Sequence, residues 1–252
     1  MKCGDMSGRV ALVTGAGSGL GKASAACLAR AGAKLCIVDI NETRLRETEK
    51  ELSANSPDVL AIHADLSGAE ACRAAVESCV SHFGRLDALC HVAGLIRFDH
   101  TPQMSESDYH LIQNVNLAGA FFLSQAAIPH LLKVDGAIVN VASSAAFIGE
   151  AYAAAYCASK AGLVGMTKAM AMEYMHEPIR INAVAPGGMH TNIAEDIVWP
   201  SGMDRSLVDR FAGLRGLVDV DDVADMIAHL ASPDGKGFHG NCVVIDRGVT
   251  AG

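Results

Sequence analysis

Seven short apolar runs recur along the chain, at residues 10–13, 35–38, 59–63, 88–92, 137–141, 181–184 and 242–245, and longer amphipathic stretches separate them. A run of this length without polar alternation is the pattern of a strand covered on both faces. Residues 41–53 show the other pattern, with Leu45 and Leu52 turned inward and Arg44, Arg46, Glu47, Glu49 and Lys50 outward on a helix. Strand and helix alternating in this way predict an α/β architecture, a mostly parallel, doubly wound sheet of about seven strands with helices on both faces. No Pro/Ser-rich linker, charge block or internal repeat divides the sequence, so residues 1–252 read as a single domain. The rhythm breaks at residues 191–216, where the one tryptophan, Trp199, stands beside Pro200 and near Gly202. A mobile lid over the carboxyl ends of the strands fits there.

Composition narrows the function. Half of the residues are apolar, enough for a sizeable core, and 20 Lys and Arg against 28 Asp and Glu leave a net charge of −8. With that balance and no long basic run, no nucleic-acid partner is expected. The eight cysteines, at 3, 27, 36, 72, 79, 90, 157 and 242, form no C-x-x-C pair and are expected to be buried free thiols in a reducing compartment. Lys2, Asp5 and Arg9 surround a short apolar segment that reads as a first strand rather than a signal peptide. The longest uncharged stretch, 109–132, is interrupted by Asn114, Asn116, Gln125, Pro129 and His130, so no membrane span is expected and a cytoplasmic location is the default.

Directly after the first apolar run comes a glycine turn containing Gly15, Gly17, Ser18, Gly19, Leu20 and Gly21, followed by an alanine-rich helical stretch. In a strand–turn–helix context, such a turn lets backbone N–H groups and a helix N-terminus face a pyrophosphate. The second run ends in Asp39, 18 residues after Gly21. A carboxylate there accepts the hydroxyls of an adenosine ribose and repels a 2′-phosphate, and neither Ile40 nor Ser18 supplies a cation for that phosphate, which points to NAD rather than NADP. Asp39 has a second reading, as a helix N-terminal acid ahead of Asn41.

Ser143 follows the fifth run, and Tyr156 and Lys160 come 13 and 17 residues later. The i, i+4 spacing places the phenol and the ammonium on one helix face. A phenol with a pKa near 10 is a poor acid/base at neutral pH, and an adjacent ammonium favours its ionised form. Taken alone, the pair also reads as a surface contact; the glycine turn upstream favours chemistry.

With these motifs in place, the chain resembles the short-chain dehydrogenase/reductase family, NAD(P)-dependent oxidoreductases with a single Rossmann-type domain. The likeness runs from Arg9 to Gly248 through TGAGSGLG at 14–21, Asp39, Asp65 and Leu66, FGRLD at 83–87, NVNLAG at 114–119, VASS at 141–144, YCASK at 156–160, and Arg180 through Pro186 to Thr191. The resemblance implies that Asp65 and Leu66 meet the adenine, that Val92, Gly94 and Pro186 contact the cofactor, that Met189 and Thr191 meet the nicotinamide amide, and that Lys160 holds its ribose. It also implies a catalytic set of Ser143, Tyr156, Lys160 and Asn116, the last relaying protons through water to Lys160. The chain departs from the family in one place: His91 and Val92 stand where Asn-Asn is usual, and His91 is expected to substitute in hydrogen bonding where Val92 cannot.

The expected reaction is interconversion of a secondary alcohol and a ketone with NAD. Phe147, Tyr152 and Trp199 are candidates for an apolar substrate pocket beside Ser143, although each also reads as core or lid. With no Arg placed to clamp an anion, an apolar cyclic or steroid-like alcohol is the expected substrate. A 3-oxoacyl-[acyl-carrier-protein] reductase and a non-catalytic NAD-binding module are the alternatives. His190 lies near the expected substrate position, and the histidines show no metal-ligand spacing, so no metal is expected. The apolar stretches 116–132 and 151–175 suggest a homotetramer or homodimer.

Overall fold

A computed structural model of the chain describes residues 4–54, 56, 58–190, 197–211 and 213–251. Seven strands, β1 (Val10–Thr14), β2 (Lys34–Asp39), β3 (Val59–His63), β4 (Ala88–His91), β5 (Gly136–Val141), β6 (Ile179–Pro186) and β7 (Cys242–Ile245), form one parallel sheet in the order β3-β2-β1-β4-β5-β6-β7. The helices are α1 (Gly19–Arg30), α2 (Glu42–Leu52), α3 (Ala69–Phe83), α4 (Glu106–Gln113), α5 (Gly119–Leu131), α6 (Ala154–Glu173), α7 (Arg205–Val208) and α8 (Val220–Ala231). A π-helical turn, Asn114–Ala118, joins α4 to α5.

The strands are apolar throughout because both faces are covered. Ala11, Val13, Leu35, Ile37, Val139 and Val184 pack with Leu28 of α1 and Val223 and Ile227 of α8. Residues of the opposite face on the same strands, Val10, Leu12, Cys36, Val38, Ile138 and Ile181, pack with Val76 of α3, Leu123 of α5 and Met170 of α6. Residues one apart thus feed opposite layers, and full burial of each aliphatic side chain contributes roughly 1.5–3 kcal/mol. The run Glu106–Leu131 has the length and hydropathy of a membrane span, yet Leu123, Ala127 and Leu131 are buried in this core. Among the described residues, Cys27, Cys36, Cys72, Cys79 and Cys90 are buried and Cys157 and Cys242 are partly buried.

The observed strand ends differ from the sequence reading where pairing decides them. β6 is longer because Ile179 pairs with Gly136 on one side and Pro186 with Ile245 on the other. β4 stops at His91 because the next two amides, of Val92 and Ala93, turn aside to donate to Thr14 Oγ1 at 3.1 and 3.0 Å. These bonds tie β4 to β1 without the amide side chains that the family usually has there. The expectation that His91 takes over their hydrogen bonding does not hold. Its ring is fully buried, neither nitrogen has a hydrogen-bond partner among the described residues, and Nε2 lies 3.8 Å from where a Cβ on Gly119 would stand.

From β1 the sheet grows one way to β2 and β3, then the other way from β4 to β7. The reversal leaves a crevice outside the carboxyl ends of β1 and β4, where ligands bind in open α/β sheets.

Candidate active site

That crevice is a cleft of about 470 Å³. Gly15, Ser18, Gly19, Leu20 and Gly21 form one wall, Asp39, Asp65 and Leu66 one end, and Val92, Gly94, Pro186 and Met189 border the other, with Tyr156 and Lys160 of α6. Thr191 lies outside the described residues.

The glycine turn is shaped for close approach. Gly15 and Gly19 have φ of +67° and +49°, in the left-handed region that glycine enters without penalty. A Cβ on Gly21 would fall 2.0 Å from the Gly15 carbonyl oxygen, so the turn closes only without a side chain there. α1 has neither a side-chain cap nor an acid in its first turn, which leaves its free N–H groups to an anion at the cleft. Asp39 is fixed beside it, accepting from Gly17 N through Oδ2 and from Asn41 N through Oδ1, each at 2.8 Å. The bond from Asn41 joins the two readings of Asp39, since the carboxylate both steadies the start of α2 and faces the cleft. Backbone donors at one side and a fixed carboxylate at the other fit a dinucleotide.

Ser143 stands two residues past the end of β5, where its hydroxyl caps the next turn by accepting from Ala145 N at 3.2 Å. The same hydroxyl acts on the Tyr156 phenol, favouring its ionised form. Tyr156 and Lys160 share one face of α6, with Nζ 5.7 Å from the centre of the tyrosine ring and donating to the Val141 carbonyl at 2.8 Å. Burial pushes Lys160 down to about 8. Burial also pushes the Tyr156 phenol above its ordinary value of 10.0, and the nearby Ser143 hydroxyl acts against it. The lowering expected from the Lys160 ammonium is not among the causes of this shift, which desolvation dominates.

Asn116 occupies the π-helical turn, a form that recurs at functional sites. Its Oδ1 accepts from Leu95 N, while Nδ2 donates to Leu95 O and to Ser159 Oγ, so the side chain locks the loop after β4 onto α6. A Cβ on Gly94 would lie 3.3 Å from both Asn116 Oδ1 and Lys160 Nζ, which brings all three residues together. The relay implied by resemblance thus meets an amide whose oxygen and nitrogen are already engaged.

Two site residues escaped the sequence reading. Arg97 is exposed, lines the cleft and donates to the Ile96 carbonyl, correcting the expectation that no Arg is placed there. Glu150, before α6, is pushed up to about 7 by burial, and its charge raises the Tyr156 phenol. The substrate candidates lie apart from the cleft walls: Phe147 is exposed, Trp199 stacks on Phe98 with ring centres 4.4 Å apart, and the Tyr152 hydroxyl accepts from Asp204 N. His190 is exposed. Among the described residues no three His, Cys, Asp or Glu side chains gather as metal ligands.

The short chain dehydrogenase family profile matches residues 9–199. The chain is 36% identical over 249 residues to the 2-dehydro-3-deoxy-D-gluconate 5-dehydrogenase of Escherichia coli (strain K12), covering 98% of this chain and 97% of that one. Among solved structures, it is similar to the 3-ketoacyl-(acyl-carrier-protein) reductase of Brucella melitensis complexed with NADH, with a TM-score of 0.87 at 30% identity over 98% of this chain and 100% of the other. A short chain dehydrogenase of Burkholderia cenocepacia J2315 in complex with NADP gives a TM-score of 0.87 at 31% identity, covering 97% and 98%.

Proposed function

The chain belongs to the short chain dehydrogenase family, and from that premise we propose that it interconverts a secondary alcohol and a ketone with NAD. The observation that carries the reading is the Ser143–Tyr156–Lys160 cluster at the edge of a cleft whose other end holds the Asp39 carboxylate. Held between the glycine turn and Asp39, NAD would supply the acceptor for the carbinol hydride. Tyr156 takes the hydroxyl proton, Ser143 holds the substrate oxygen, and Lys160 supplies a cation on the same helix face. Asn116 positions Leu95 and Ser159 around them. Gly17 N and Asn41 N hold Asp39 where it favours an unphosphorylated ribose.

The preferred substrate is an apolar cyclic or steroid-like alcohol, consistent with Leu95, Leu111, Val115 and Met189 in the cleft wall. Arg97 favours a second reading, an alcohol that also bears a carboxylate, in keeping with the gluconate in the name of the Escherichia coli relative. The chain is also proposed to form a homotetramer or homodimer through the apolar depression lined by Leu117, Phe121, Phe122 and Met166, which light scattering checks.

The test is absorbance of reduced nicotinamide with NAD⁺ and NADP⁺ in parallel, against ring alcohols, hydroxy acids and hydroxyacyl thioesters. NAD⁺-linked turnover lost in Tyr156→Phe supports the proposal. Preference for NADP⁺ and a hydroxyacyl thioester supports the 3-oxoacyl reductase alternative instead. NADH binding without turnover across the panel supports the non-catalytic module.

A further inference from the structure

Tyr152 has φ +66°, a strained left-handed backbone rare for a bulky aromatic residue. Three neighbours hold it there. Its hydroxyl accepts from Asp204 N at 2.8 Å, its carbonyl accepts from Asp99 N at 2.8 Å, and its ring meets His100 edge-on with centres 5.0 Å apart. Asp99 and His100 belong to the loop after β4, and Asp204 to the excursion after β6. The same two segments meet twice more, through Nε2 of His100 and the Ser201 carbonyl at 3.1 Å, and through Phe98 stacked on Trp199. At its base the excursion is pinched by a bridge between Met189, a cleft residue, and Val218. Met189 and Val218 thus stand together at the cleft, and residues 199–204 are fastened to the loop after β4.

We infer that Tyr152 is a positioning residue that fastens residues 199–204 to the segment leading into the catalytic helix, and so sets how firmly substrate is held. The placement links this fastening to the chemistry, because Tyr152 stands four residues before Tyr156, just ahead of the first turn of α6. A residue kept in a strained conformation by contacts to two other segments marks a place where the fold has an arrangement to maintain. The substrate part of this inference rests on the proposed alcohol oxidation. The fastening itself does not.

Trp199, the one tryptophan of the chain, reports the fastening directly. Tyr152→Phe removes the acceptor and keeps the ring, while Asp204→Pro removes the donor from the other partner at a φ of −83° close to proline's own. Each variant is expected to increase acrylamide quenching of Trp199, and the double variant to add little beyond either single one. With an alcohol that the wild type turns over, KM is expected to rise about three- to tenfold while kcat stays within about twofold, the measure of one lost hydrogen bond. Unchanged quenching in both variants overturns the inference, whatever the activity. Increased quenching with KM unchanged keeps the fastening and overturns its role in holding substrate. If no alcohol is turned over, the proposed reaction fails, and quenching still decides the fastening.

Discussion

The backbone N–H of Gly17 and the carboxylate of Asp39 are joined at 2.8 Å, across the 22 residues that separate the glycine turn from the end of β2. The bond makes the turn and its acid one unit. A Cβ on Gly17 would stand 2.9 Å from Asp39 Cγ, so the approach requires glycine. Asp39→Ala removes the ribose acceptor and leaves the Gly17 and Asn41 amides without theirs. NADH affinity is expected to fall about 10- to 100-fold, the scale of a hydrogen bond to a charged group, while NADPH affinity holds or rises. Fluorescence titration with both reduced cofactors checks the ratio.

What was legible in the sequence was local. The glycine turn, the strand-end acid and the i, i+4 pair Tyr156 and Lys160 are each set by neighbours a few residues away, and β3 and β7 begin and end where the apolar runs do. Long-range features stayed hidden. Nothing in the run around Glu150 shows that its carboxyl is desolvated, because the covering segments come from the tertiary fold. Tyr152 read as a pocket residue because its partner Asp204 is 52 positions away. The tight grouping of Gly94, Asn116 and Lys160 likewise comes from three separate segments.

Lys160 should set the alkaline limb of stability. Burial lowers it from 10.5 to about 8, so between those values the unfolded chain holds a proton that the folded chain has released. Stability then rises with pH across that window, by at most roughly 3 kcal/mol at 1.4 kcal/mol per pH unit. Lys160→Met is expected to flatten this rise and to lose at least about 100-fold in turnover, trading activity for the removed desolvation penalty. Urea melts from pH 7 to 10.5, paired with assays, test both.

Glu150 works in the opposite sense. Burial raises its carboxyl from 4.5 to about 7, so the folded chain holds the extra proton and stability falls as pH rises through that interval. Glu150→Gln is expected to gain about 1–2 kcal/mol at pH 8, with allowance for the partial exposure of the carboxyl. Its negative charge also raises the Tyr156 phenol. Removing it should therefore move the alkaline rise of kcat/KM for alcohol oxidation to lower pH by about half a unit. An unmoved profile would show that the Glu150 charge does not reach Tyr156.

His91 predicts the acid limb. Its ring is pushed from 6.5 down to about 3, by burial first and by the nearby Lys160 charge second. Below pH 6.5 the unfolded chain gains a proton that the folded chain refuses, so native stability is lost as pH falls toward 3. The slope is about 1.4 kcal/mol per pH unit for this single group. His91→Asn replaces the ring with an amide that does not titrate. Its chemical melts are expected to show a shallower loss between pH 6 and 4 than the wild type, even if the smaller side chain lowers stability at pH 7. If the two slopes coincide, His91 is not the group that resists the proton, and the acid sensitivity of this fold must lie with its carboxylates.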